Sequence, residues 1–175
     1  MVTRLPAWVR RGLVGLLALA GLYLVVDVAY TALFVVSSRT RWRPGLESMR
    51  WFNKRVANPV VLRFQKSKVT EIHHTGRKSG KGYVTPVWAE RVEDSFLIHL
   101  PYGADVDWCR NVVAAGGCTI MHDGVRFDTA APRIVRAAEA LPLVPPRMRR
   151  ADQLMNVESY LRLDIVPVPA EAGRH

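Results

Sequence analysis

The chain has 175 residues and a formal net charge of +10, room for one domain of ordinary size plus a short extra element but not for two independent cores. Its hydrophobic fraction of 49% is close to the globular average, yet it is unevenly spread, since Gly12 to Val36 carries almost no polar side chain. The only cysteines, Cys109 and Cys118, form no C-x-x-C, which argues against a disulfide framework and a thiolate zinc site and leaves two buried free thiols in a reducing compartment.

The first element in the chain is the apolar run itself. About 20 apolar residues cross a bilayer core as a helix, and Gly12 to Val36 exceeds this with Asp27 as its only charge. One mid-helix Asp costs about 3 kcal/mol on insertion scales, which the many Leu, Val and Phe residues offset by a few tenths each. Residues 1–38 are therefore expected to be a transmembrane anchor. A cleaved signal peptide is the alternative, because Arg4, Arg10 and Arg11 precede the run, but the run is long for one and no clear small-residue cleavage site follows it.

Charge is localised directly after the anchor. Residues 39–81 hold twelve Lys or Arg against two Glu, whereas residues 82–175 hold ten Arg against twelve acids. The positive-inside bias then places the carboxyl-terminal part in the cytoplasm, and anionic lipid would attract the basic stretch. Nucleic-acid binding is the weaker use of such charge, because no base-stacking aromatics or reading helix accompany it.

Residues 39–68 show helical spacing at Met49, Trp51, Phe52, Val56, Val60, Val61 and Phe64, interrupted at Asn58 and Pro59. Two short amphipathic helices are expected, with basic faces toward headgroups and apolar faces toward the domain. From Val69 the rhythm changes to short β-type runs, which predict a small sheet or barrel over 69–167: strands at 69–74, 83–92, 95–100, 118–122, 125–133 and 157–166. Asp123-Gly124 signals a tight hairpin. One helix interrupts the strands, with Asp105 or Asp107 as cap, Trp108 to Ala115 as body and Gly116-Gly117 as stop. A loop and a basic helix are expected over 142–156, and a tail over 168–175.

Two constellations bear chemistry. Thr75 to Gly82 combines flexible backbone, amides, the Ser79 hydroxyl and the cations Arg77, Lys78 and Lys81, the parts of an anion cradle, although for the loop taken alone a solvated hairpin turn is the favoured reading. It departs from the P-loop spacing. Further on, Leu100-Pro101-Tyr102-Gly103 leads to a helix on which Trp108 and Asn111 share a face, a setting for a planar anion or simply a core Trp and a local cap. His73 and His74 are neighbours on a strand, so they face opposite ways and cannot chelate one metal. No hydrolase or zinc-enzyme motif is present, and an anion loop without a nucleophile suits an enzyme whose cofactor does the chemistry.

The order H-T-G-R-K-S-G, V-T-P-V-W, L-P-Y-G and W-C-R-N followed by V-V-A-A-G-G, from about Pro59 to Pro132, resembles the deazaflavin-dependent nitroreductase family of actinobacteria. The resemblance implies an α+β split β-barrel of the flavin-binding type, with about six antiparallel strands, short flanking helices and the amino-terminal transmembrane helix in front. It implies that Arg77, Lys78, Ser79, Gly80 and Lys81 grip the phosphate and acidic tail of coenzyme F420. Pro86, Val87 and Trp88 would line the deazaflavin ring, Pro101, Tyr102 and Gly103 its ribityl side, and Trp108 with Asn111 would fix the loop around it. Hydride would pass to a quinone or nitro compound. Trp88 stands where the family usually has tyrosine, and the tyrosine-rich substrate segment is reduced to Tyr160. The anchor implies a lipophilic acceptor such as menaquinone, contact with membrane lipids, and leaves a homodimer open. The alternatives are a non-catalytic F420- or lipid-binding barrel and a barrel that takes flavin mononucleotide (FMN).

Overall fold

The computed structural model describes residues 6–64 and 69–167. Helix α1 (Ala7–Thr40) has 34 residues, about 50 Å at 1.5 Å per residue, and by length and composition it is able to cross a membrane. Its side chains are exposed over most of its length, but Phe34, Ser37 and Ser38 near the end are buried. Arg41, in left-handed backbone, ends the helix. Pro44 then sits in the first turn of α2 (Arg43–Phe52), where its missing N–H costs nothing.

Helix α2 folds back along α1, so that Tyr30 Oη donates to Asn53 Oδ1 at 2.8 Å and the Tyr30 and Phe52 rings lie 5.7 Å apart. The expected break at Asn58-Pro59 does not occur. Pro59 has no N–H to give the preceding turn, and the chain meets this with a wide π-type turn at Asn53–Ala57 that runs directly into α3 (Asn58–Phe64). Met49 of α2 is buried as expected, and Leu46 with it, but Trp51, Phe52, Val56, Val60 and Phe64 are exposed, so much of the apolar face of this arm does not cover the domain.

The strands are β1 (Thr70–Thr75), β2 (Gly82–Val87), β3 (Ala89–Val92), β4 (Ser95–His99), β5 (Gly117–His122), β6 (Val125–Arg136) and β7 (Ser159–Ile165), with α4 (Asp107–Ala115), α5 (Ala137–Ala140) and α6 (Pro146–Met155) between them. Their antiparallel order is β2-β1-β5-β6-β7-β4-β3. The two edge strands are consecutive in the chain and joined only through Trp88, so the sheet must curl until its edges meet at that residue. This is a split β-barrel, with seven strands rather than about six, because the expected strand over 83–92 divides at Trp88. The Trp88 carbonyl accepts from His99 N–H at 2.9 Å, which commits the second half to β4 and leaves the first half to β1.

Local chemistry sets the remaining bends. Asp123 and Gly124 both have positive φ, 49° and 78°, the backbone of a type I′ turn. At Ala131, φ 52°, a bulge shifts the register of β6 against β7 between Ala130 and Arg133; β6 pairs with β5 up to Ala130 and with β7 on both sides of the bulge. A Cβ on Gly117 would lie 2.0 Å from the Thr129 carbonyl oxygen, so only glycine allows this approach of β5 to β6.

The barrel interior holds Ile72, Phe96, Ile98, Leu100, Val112, Ile120, Leu161 and Leu163, each such side chain contributing about 1.5–3 kcal/mol on burial. A second cluster outside the sheet joins Phe34 and Met49 to Leu97, Ala140, Val144, Met155, Val157 and Tyr160. Strand β4 is thus buried on both faces, and the end of α1 is packed into the domain. Within this second layer Asp152 lies 2.8 Å from His99 Nδ1 and accepts from Tyr160 Oη at 2.7 Å. Burial pushes the thiols of Cys109 and Cys118 up to about 11, so neither is a thiolate nucleophile near neutral pH.

Candidate functional site

The β1–β2 hairpin loop is shaped by its own bonds. Gly76 N–H donates to the Lys81 carbonyl and Gly80 N–H to the Gly76 carbonyl, both at 2.8 Å. Gly80 has φ 65°, and a Cβ on Gly76 would meet Ser79 Oγ at 2.5 Å and Tyr83 at 2.7 Å. Lys78, Ser79 and Lys81 are exposed, and among the described residues neither lysine has an acidic partner. The loop therefore offers two uncommitted cations beside the Ser79 hydroxyl, which sits 3.1 Å from Tyr83 Oη.

Arg77 has a different task. Asn111 Oδ1 accepts from Arg77 N–H at 3.2 Å and from Arg77 Nη1 at 2.9 Å, and Asp107 Oδ1 accepts from Arg77 Nη2 at 3.3 Å. Arg77 thereby fastens the loop to the first turns of α4. The structure thus brings the two sequence constellations together. Asp107 does not cap the helix, since Val106 occupies the N-cap position without a side-chain bond. Its carboxylate bridges Arg77 and Lys54, the latter at 3.7 Å. Burial acts to raise the Asp107 carboxyl, but the Arg77 bond and the Lys54 charge outweigh it and hold it below the usual range. Asp105 pairs with Arg110 instead.

Behind Asn111 stands His74, a residue whose role sequence reading misses. Its Nδ1 faces Asn111 Nδ2 at 3.2 Å, its Nε2 faces Thr85 Oγ1 at 3.1 Å, and its ring stacks on Tyr83. Since Asn111 Oδ1 serves Arg77, Nδ2 must donate to Nδ1, which assigns neutral His74 with its proton on Nε2. Burial, then the neighbouring His73, lowers the His74 pKa below 6.5. The unfolded chain therefore takes up a proton that the folded one refuses, and stability declines as pH falls below about 6.5. Thermal unfolding from neutral to mildly acidic pH should show a Tm drop that a His74→Gln variant reduces. The signal available in sequence was position: His74 follows Ile72 by two residues and so shares the core-facing side of β1.

Of the other expected site residues, Trp108 follows Asp107 in the first turn of α4, beside the Arg77 contact, whereas the β2 residues lie apart from the loop. Pro86, Val87 and Trp88 are at the far end of β2 from Lys81, roughly 20 Å along the strand at about 3.3 Å per residue; Val87 packs toward the barrel interior and Trp88 is 51% exposed at the seam. Trp108 is partly buried against the same interior cluster. Pro101, Tyr102 and Gly103 form the turn after β4, closed by Gly103 N–H to the Leu100 carbonyl at 2.9 Å. The Tyr102 side chain turns away, packing on Phe34 at 5.3 Å and accepting from Asn53 Nδ2 at 2.5 Å, while Arg50 donates to its carbonyl. A concavity of about 500 Å³ beside Tyr102 is lined by Arg41, Arg43 and Arg50 with Glu47, Asp105 and Glu158. No cluster of His, Cys, Asp and Glu suited to a metal is found among the described residues.

The fold is a split barrel whose cationic hairpin is latched to an inserted helix. Residues 47–153 match the model of the F420H(2)-dependent quinone reductase family; the match covers more than half of the chain, which belongs to this family, and its cofactor is coenzyme F420. The chain is an F420-dependent reductase. No curated protein matches. Among solved structures, similarity is found to HutZ, the heme storage protein from Vibrio cholerae, at 13% identity and TM-score 0.43, covering 64% of this chain and 90% of that one. A conserved hypothetical protein from Mycobacterium tuberculosis matches at 15% identity and TM-score 0.41, covering 66% of this chain and 91% of that one.

The residues fit the coenzyme in kind. Lys78 and Lys81, the Ser79 hydroxyl and the Lys78 and Ser79 amides, which the bonds of the loop leave free among the described residues, are donors of the kind a phosphate or acidic tail takes.

Proposed function

We propose that the protein is a membrane-anchored reductase that uses reduced F420 to deliver hydride to a quinone or another lipophilic electrophile, with α1 crossing the membrane and the barrel on the cytoplasmic side. The observation that carries this reading is the latch of Arg77 to Asn111 and Asp107, which holds the loop cations beside the positive end of α4. Lys78, Ser79, Gly80 and Lys81 would bind the coenzyme's anionic end, and Arg77 with Asn111 would position that loop. Pro86, Val87 and Trp88 would border the ring, with the Pro101–Gly103 turn and Trp108 supporting the wall. When bound, the reduced deazaflavin supplies the hydride; the chain's contribution is to orient it and to shield its face from water.

The family description supports a quinone-type acceptor, and α1 supports one that resides in lipid. The test uses the full chain in lipid nanodiscs with reduced coenzyme. Oxidation of the coenzyme on addition of menaquinone, followed by its absorbance, is expected; binding without oxidation across quinone and nitro acceptors would replace the reductase with a storage role.

A further inference from the structure

The helical arm after α1 carries an exposed apolar row that nothing among the described residues covers. Phe52, Val56, Val60 and Phe64 recur every four residues and are 40%, 42%, 51% and 79% exposed. In a regular α-helix of about 3.6 residues per turn such a repeat drifts steadily around the axis. The wider turn at Asn53–Ala57 winds less per residue and cancels part of that drift, so the four side chains stay on one side.

The level of this row is fixed by α1. Helix α2 climbs back from the α1 terminus for ten residues, about 15 Å, until Asn53 and Phe52 meet Tyr30. The row therefore starts beside Tyr30, where the exposed apolar surface of α1 gives way to its buried end at Phe34. Arg55 and Arg63 flank it and are exposed, with no acidic partner among the described residues. An apolar row bordered by cations and continuous with an apolar helix matches a bilayer interface with anionic lipid. Helix α3 also packs on β2, the strand that begins at the coenzyme loop.

We propose that the α2–α3 arm is a second membrane contact, presenting Phe52, Val56, Val60 and Phe64 to lipid from the level of Tyr30 onward and so holding the β2 edge of the barrel against the bilayer. This rests on the reading of α1 as a membrane span. The arm fixes the barrel's orientation, which a single helix cannot do alone.

The test places single cysteines at Val56, Val60, Leu22 and Lys81 in a Cys109→Ala, Cys118→Ser background, labels them with an environment-sensitive dye, and reconstitutes the full chain in vesicles of phosphatidylethanolamine and phosphatidylglycerol. Labels at 56 and 60 should be quenched by spin-labelled lipid and shielded several-fold from aqueous iodide relative to the label at 81, independently of protein density. Iodide access equal to that at 81, with the label at 22 still quenched by lipid, would overturn the arm contact alone. Shielding that vanishes when the protein is diluted in lipid would overturn it in favour of a second copy. A label at 22 that lipid fails to quench would remove the span and the proposal together.

Discussion

Replacing Asp152 with alanine is expected to cost about 3–5 kcal/mol of folding stability, the penalty for breaking a fully buried polar pair by removing one member. Asp152 and His99 have no exposed side-chain surface, and the carboxylate also accepts from Tyr160 Oη. Without it, His99 Nδ1 and the Tyr160 hydroxyl are both stranded, in addition to His99 Nε2, which has no protein partner among the described residues. Burial, then the bond to Asp152, raises the Tyr160 pKa, so the hydroxyl stays a donor throughout the ordinary pH range. Asp152→Asn keeps the shape but turns one acceptor into a donor facing a donor, and should cost about 1–3 kcal/mol. Denaturant unfolding of the three proteins checks the order. The network joins α6, β4 and β7 away from the hairpin loop, so the salt-sensitive hold of Lys78 and Lys81 on the coenzyme should be unchanged in the folded fraction.

Asn111→Ala is expected to act on stability and binding together. The substitution deletes an acceptor for two Arg77 donors and a donor to His74, leaving partly buried groups unpaired at about 1–3 kcal/mol each. The loop then loses its hold on α4, and coenzyme Kd should rise at least tenfold. Lys78→Ala with Lys81→Ala supplies the contrast. These exposed cations make no internal ion pair among the described residues, so Tm should not move, while Kd rises by about fivefold per lysine for roughly 1 kcal/mol each after screening. That loss should shrink at high salt, whereas the Asn111 effect should not. Equal behaviour of the two variants would mean the loop is merely a turn.

Much of this architecture is legible in the residues. Asp123-Gly124 demands positive φ at both positions and marks its hairpin; Gly116 ends α4 for the same reason; the apolar run marks α1. Other features depend on distant partners. Nothing within 83–92 itself marks the division, because it follows from pairing: 82–87 pair with β1, while 89–92 fold back on β4 in a hairpin that ends at the Trp88–His99 bond. Helical spacing reveals the row at Phe52 to Phe64 but not what covers it, so the face expected against the domain lies open. Asp107 reads as a cap because capping is local chemistry, whereas Arg77 and Lys54 reach it only once the chain is folded. The meeting of the Ser79 loop with the helix of Asn111 was expected from motif order and is a fact of the fold.

The claim that the coenzyme seats between this loop and α4 is tested most directly by hydrogen–deuterium exchange of the full chain in nanodiscs with and without F420. Slower exchange is predicted in peptides spanning 76–82 and 107–112, extending to Trp88. Binding that leaves these peptides unchanged while protecting other segments would contradict the site.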